Sequence, residues 1–238
     1  MALLHINYFS QPLRKQAGMF VAMPDIDGPF RVVYLLHGLS DDYTMWQRRS
    51  SIERYADRFG LMVVMPDGGR SFYCDQPYGN YEGHILETVH FIDRTFRTVD
   101  APGGRAIGGL SMGGYGAMKL GLKYPELFGS VAAHSGAIDM ISRQVAEHLQ
   151  GIFQIPLTPA DDCFALASLP GVKPAIYFDC GVDDTLLEGN RRFHEHLLAL
   201  QISHTYVEYP GAHSWEYWDQ HVVEALQFHQ GQMAPLVG

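Results

Sequence analysis

The chain has 238 residues, a net charge of −9, and 47% hydrophobic, 12% aromatic and 18% charged residues, a composition that supplies a large core and argues against general disorder. The acidic excess is spread without a basic or acidic block, which leaves no electrostatic footprint for nucleic acid or for an anionic membrane. No segment approaches the ~18 apolar residues of a membrane span, and the start has no basic leader ahead of an apolar run. Cys74, Cys163 and Cys180 form neither a CxxC pair nor an even framework, so a cytoplasmic location is expected.

In chain order, "LLHINYFS" and "AGMFVAMP" read as two short strands, an antiparallel pair at a sheet edge. The rhythm then changes. "RVVYLLHG" is a buried-strand run, "MWQRRSSIERYADRFG" a helix ending on Gly60, and "LMVVMPDGG" a second apolar strand closed by turn residues. "YEGHILETVHFIDRTFR" places Ile85, Val89 and Ile92 on one helical face, and "RAIGGL" is a short strand leading to Ser111. A helix over about Met112 to Tyr124, strands in "LFGSVAAHSG" and "PAIYFDCG", a helix "LEGNRRFHEHLLAL", a strand "SHTYVEYPG" and a last helix from Ser214 to about Gln230 complete the series. Such alternation predicts an α/β fold with a mostly parallel central sheet and helices on both faces. No linker divides the chain, so one domain over 1–238 is expected, with a strand-free stretch at about 139–170 forming a small cap insertion.

The stretch "AIGGLSMGGYGAMKL" sets Ser111 between an apolar strand and a helix, flanked by Gly109 and Gly113 in a G-x-S-x-G pattern. That context predicts a nucleophile elbow rather than a flexible loop, whose flanks would be polar. A serine hydroxyl needs a general base, and the base needs an orienting acid; on an elbow fold the order along the chain is Ser, acid, His. "IYFDCGVDDTLL" offers Asp183 and Asp184 after a late strand, and "TYVEYPGAHSWEYW" offers His213 after the next one. The other histidines fall within helices or strands, or too early; His134 ends the strand after the nucleophile helix, near the site but out of order for the base. Backbone N–H groups of Met112, at a helix N-terminus, and of Leu39, after the turn at Gly38, are the expected oxyanion donors. With no HExxH, DxDxDG or CxxC pattern, neither a metal nor another cofactor is expected.

"YLLHGLSDDYTMW", "MPDGGRSFYCD", "IGGLSMGGYGAMKLGLKYPELFGSVAAHSG", "YFDCGVDDTLLEGNRRFHEHL" and "YPGAHSWEYWD" together resemble the esterase D / tributyrin esterase family. These are serine carboxylesterases of the α/β-hydrolase fold, related to S-formylglutathione hydrolases, cinnamoyl esterases and mycolyltransferases. The resemblance implies Ser111 as nucleophile, His213 as base and, from the family's C-G-x-x-D spacing, Asp184 rather than Asp183 as acid. It also implies short-chain acyl esters as substrates and assembly into dimers or tetramers. "HGLS" here replaces the "SGLT" of the formylglutathione hydrolases, which favours the small-ester branch.

Aromatic residues cluster in "GGRSFYCDQPYGNYE" beyond a strand's C-terminal end, where ligands collect in this architecture. Tyr73 from that loop, His37 and Trp46 from the oxyanion segment, and Trp215 after His213 are the expected pocket residues, giving a small apolar site for short or aryl acyl groups. The alternatives are a thioesterase of the S-formylglutathione hydrolase kind, an acyltransferase, and a catalytically inert binding protein on the same fold.

Overall fold

The computed structural model describes residues 1–143, 146 and 149–233. Strands β1 (Ala2–Ser10) and β2 (Lys15–Met23) pair antiparallel from Ala2↔Met23 to Ser10↔Lys15. After β3 (Val32–Leu36) come helices α1 (Met45–Arg49) and α2 (Ile52–Phe59), then β4 (Met62–Pro66). A short hairpin of β5 (Asp75–Gln76) and β6 (Gly79–Asn80) leads into α3 (Tyr81–Thr95). Next are β7 (Arg105–Leu110), α4 (Met112–Lys123) and β8 (Ser130–His134), followed by α5 (Met140–Arg143) and α6 (Cys163–Ser168). The chain continues through β9 (Ala175–Gly181), α7 (Leu187–Ala199), β10 (His204–Tyr209) and α8 (Trp215–Gln232).

Eight strands form one sheet in the order β1-β2-β4-β3-β7-β8-β9-β10. Every pair from β4 to β10 is parallel, and only the pairs made by β2 are antiparallel. Two large apolar clusters cover the faces, with a third, small one at Ala132, Tyr177 and Ala225. One joins the sheet to Ile85 and Val89 of α3, Tyr115 of α4, Leu166 of α6 and Phe193 of α7; the other gathers Trp46 of α1, Ile52 and Phe59 of α2, and Trp218 and Val222 of α8. With both faces covered, β3, β4, β7 and β8 are buried along their whole length, which is why they read as unbroken apolar runs. β1, at an edge, alternates between more and less exposed positions instead.

The single helix expected over "MWQRRSSIERYADRF" is two. Ser50 is extended (φ −134°, ψ 174°), its hydroxyl donates back to the Trp46 carbonyl, and the Ser51 N–H is taken by Asp219 of α8 at 3.0 Å. Serine's habit of bonding the nearby backbone breaks the helix where α8 supplies the acceptor. Gly60 ends α2 at φ 59°, as expected of a C-terminal glycine. The described part of 139–170 contains no strand: α5, a 3₁₀ turn at Pro159–Asp161 with a Thr158 capping box, and α6.

Candidate active site

Ser111 lies between the last residue of β7 and the first of α4, at φ 52° and ψ −114°. A non-glycine residue persists there only when its surroundings over-determine it. Here the Ser111 N–H donates to the His134 carbonyl at 2.9 Å, and its carbonyl accepts from the N–H groups of Tyr115 and Ala137, each at 3.1 Å. The turn is also too tight for side chains on either side. A Cβ on Gly109 would stand 2.5 Å from the Gly113 carbonyl oxygen, and one on Gly113 would stand 2.3 Å from the Leu36 carbonyl oxygen. Both obstacles are backbone, so Gly113→Ala is expected to lose about 3 kcal/mol of stability, the upper end of overpacking costs. Denaturant titration checks this; an unchanged midpoint would mean the turn is loose.

His213 reaches this serine from the loop between β10 and α8. Its Nε2 is 3.0 Å from Ser111 Oγ, and its Nδ1 is 2.8 Å from Asp184 Oδ2. The Asp184 carboxylate is fully buried, and its Oδ1 accepts the Leu186 N–H at 2.8 Å. Burial pushes its pKa up, but the hydrogen bonds from His213 and Leu186 outweigh that and hold it below the ordinary carboxylate range. An ionised Asp184 accepts Nδ1–H, so Nε2 presents its lone pair to the serine hydroxyl. Trp218 stands edge-on to the imidazole, ring centres 4.8 Å apart and planes at 89°. Asp183 is exposed, and its N–H is bonded to the Gly211 carbonyl at 2.9 Å.

The segment after β3 is held by its carbonyls. That of Leu36 accepts from Trp46 Nε1 at 3.1 Å, that of His37 from the Tyr73 hydroxyl at 3.0 Å, and that of Gly38 from His37 Nδ1 at 2.8 Å. His37 Nε2 accepts the Gly68 N–H at 2.8 Å, which requires the proton on Nδ1. Fixing the Gly38 carbonyl turns the Leu39 N–H to the opposite side of the same planar peptide. Leu39 lines the cavity beside Ser111, and among the described residues neither its N–H nor that of Met112 has an acceptor.

That cavity measures about 650 Å³ and is lined by Leu39, Met45, Phe72, Leu110, Met140, Leu149, Leu186, Trp215 and Trp218, with Arg49 and Arg143 also contributing. Trp215 is therefore at the pocket, whereas His37, Trp46 and Tyr73 are not. All three are essentially unexposed and spend their polar atoms on the backbone of the segment Leu36–Gly38 and of Gly68, so they support the Leu36–Gly38 segment from below. The Tyr73 ring is wedged where a Cβ on Gly68 or Gly116 would come within 2.3 Å or 2.4 Å of it. Sequence reasoning missed Met45, Met140, Leu186 and Trp218, whose apolar character is indistinguishable from that of core residues.

It also missed Lys119. This fully buried lysine of α4 donates to the Tyr73 carbonyl at 2.8 Å and to Glu82 at 2.7 Å, pinning the Phe72–Tyr73 turn, both residues at positive φ, against α4. Despite burial, Lys119, Lys123 and Tyr124 hold Glu82 down at about 2. Among the described residues no group of three or more His, Cys, Asp or Glu could hold a metal, and no helix is long and apolar enough to cross a membrane.

The nucleophile-elbow geometry, placed at the C-terminal edge of a mostly parallel sheet, defines the class as an α/β-hydrolase. The chain belongs to the family described as "Putative esterase", whose model matches residues 10–229, and it is a carboxylic ester hydrolase. It is similar to an acetyl esterase of Caldicellulosiruptor saccharolyticus, 29% identical over 96% of this chain and 98% of that protein. Among solved structures it resembles the fluorophosphonate-binding serine hydrolase FphF of Staphylococcus aureus (TM-score 0.87, 26% identity, 96% of this chain and 98% of that one). The S-formylglutathione hydrolase FrmB of the same organism is similar as well (TM-score 0.86, 27% identity, 97% and 100%).

Proposed function

We propose that the protein hydrolyses short-chain acyl esters, aryl esters included, through an acyl-enzyme formed on Ser111. The observation that carries this reading is the continuous chain from Ser111 Oγ through the His213 ring to the buried Asp184 carboxylate. His213 Nε2 takes the serine proton as Oγ adds to the ester carbonyl, and the N–H groups of Leu39 and Met112 receive the developing oxyanion. The imidazolium, stabilised by Asp184, gives its proton to the leaving alcohol. Water then repeats the sequence on the acyl-enzyme, releasing the acid and restoring Ser111. Each step uses the substrate, water and groups of this chain, so the proposed reaction involves no cofactor.

The apolar lining supports a small acyl group, since one cavity must hold the acyl chain, the leaving group and the oxyanion together. Residues 139–170 act in this reading as a small cap on a single-domain chain, a role supported by Met140, Arg143 and Leu149 at the cavity. The small-ester, tributyrin esterase-like branch, a cytoplasmic location and a homo-oligomeric state, dimer or tetramer, complete the proposal on the sequence grounds given above.

A panel of p-nitrophenyl esters from acetate to laurate tests the substrate assignment. Each methylene buried contributes ~0.8 kcal/mol until the pocket is full, so kcat/KM is expected to drop steeply beyond about six carbons. A preference for laurate would contradict the small-acyl reading. Acyl-glutathione in the same panel separates an oxygen esterase from a thioesterase of the kind represented by FrmB, and added alcohol acceptors reveal an acyltransferase.

A further inference from the structure

Asp179 in β9 is a fully buried carboxylate that the reaction above does not use. Its Oδ2 is 2.7 Å from His134 Nδ1, its Oδ1 accepts the Tyr217 hydroxyl at 2.8 Å, and its backbone carbonyl accepts the Ser135 N–H at 2.8 Å. Each partner leads to a different part of the site. The His134 carbonyl is the acceptor that holds the Ser111 N–H at 2.9 Å. Tyr217 stands four residues beyond His213 in α8, and its ring closes on the loop that carries the histidine, where a Cβ on Gly211 would lie 2.7 Å from Tyr217 Cδ2. The same loop is fixed to the acid's turn by the Asp183 N–H on the Gly211 carbonyl at 2.9 Å, while the Asp184 N–H bonds the Gly181 carbonyl at 3.1 Å.

The ring orientation of His134 follows from its burial and its partners. His134 Nε2 has no hydrogen-bond partner among the described residues, so a charged imidazolium would bury an unpaired N–H. With the ring proton on Nδ1, His134 and Tyr217 each donate a hydrogen bond to the Asp179 carboxylate and only the Nε2 lone pair is left unmatched. A buried carboxylate is costly to desolvate, and an apolar side chain could fill a buried strand position without that cost. What a Leu or Val could not do is grip β8 and α8 at once.

We propose that Asp179 is a positioning residue for ester hydrolysis, one buried carboxylate that sets the nucleophile's backbone through His134 and the base's loop through Tyr217. The inference rests on the Ser111–His213–Asp184 reading. It accounts for a polar cluster that lies outside the substrate cavity yet touches the supports of both the serine and the histidine.

The test uses Asp179→Asn, Tyr217→Phe and the double variant, each freed of misfolded material and titrated with an organophosphate to count competent serines. kcat and KM for p-nitrophenyl acetate are then expressed per titrated site, a readout that a purely structural role would leave at the wild-type value. Asp179→Asn is expected to lower kcat on the order of 10²-fold and Tyr217→Phe about tenfold, the scale of misplacing reacting groups by about an ångström, with KM within about twofold. The double variant should be no slower than Asp179→Asn, because both act through one link. Wild-type kcat per site in Asp179→Asn, or independent losses that multiply, would overturn the proposal. If Asp179→Asn does not fold, Tyr217→Phe, which removes a single hydroxyl, decides on the same readout. Ser111→Ala is run in parallel: turnover surviving there overturns the nucleophile assignment itself, whereas a dead Ser111→Ala beside normal Asp179 and Tyr217 variants overturns only this inference.

Discussion

Ser111→Ala is expected to remove ester turnover almost entirely, by on the order of 10⁶ in kcat, the loss found when the nucleophile of a serine triad is deleted. In the proposed mechanism this hydroxyl is the atom that becomes covalently bonded to the acyl group, and it is the group that His213 Nε2 faces at 3.0 Å. The folded state should survive. The strained backbone at φ 52° is held by the His134, Tyr115 and Ala137 hydrogen bonds and by the close approach of Gly113 to Leu36, none of which uses the side chain. Alanine keeps the Cβ already accommodated there, so a thermal midpoint within a few degrees of wild type is expected alongside the inactive enzyme. Activity retained at a tenth of wild type or more would place the nucleophile elsewhere.

Asp184→Asn is expected to cost roughly 10⁴ in kcat, the effect of an orienting acid in other triads. The carboxylate is ionised and accepts Nδ1–H. An asparagine amide can turn its NH₂ toward the imidazole instead, which moves the ring proton to Nε2 and points a donor at Ser111 where an acceptor is needed. The sign of the pKa shift agrees: Asp184 is held below its ordinary range, so its charge persists through mildly acidic pH and is lost only as pH falls through that lowered value. Asp183→Asn provides the contrast. Its carboxylate is exposed and its structural bond is made by the backbone N–H, so a loss below about tenfold is expected. Kinetics on p-nitrophenyl acetate compare the pair; the reverse ranking would make Asp183 the acid.

The residues placed at the site from sequence alone were those whose chemistry demands a position in the strand series. Gly109 and Gly113 mark Ser111 because the backbone passes itself within a distance no Cβ tolerates, and chain order leaves His213 in the loop after the last strand. The residues around them carry no such mark. Tyr73, Trp46 and His37 look like pocket aromatics, yet each has a polar atom bonded to a backbone carbonyl of Leu36, His37 or Gly38, which draws them under the loop rather than into the cavity. Trp215 and Trp218, from the first turn of α8, face the cavity for the opposite reason: their helix starts at the site itself. Lys119 and Asp179 were illegible for a further reason. A lysine in a helix or an aspartate in a strand reads as solvent-facing, and only the tertiary partners Glu82, His134 and Tyr217 reveal them as buried. The break at Ser50 likewise depends on Asp219, far along the chain.

The central claim, a covalent acyl-enzyme on Ser111, is tested most directly by locating the adduct. The enzyme is incubated with a fluorophosphonate until p-nitrophenyl acetate turnover ceases, then digested and sequenced by mass spectrometry. One adduct per chain is expected, on Ser111, formed in step with the loss of activity, slowed by competing ester and absent from Ser111→Ala. An adduct on any other residue, or full turnover in an enzyme whose Ser111 is completely labelled, would contradict it.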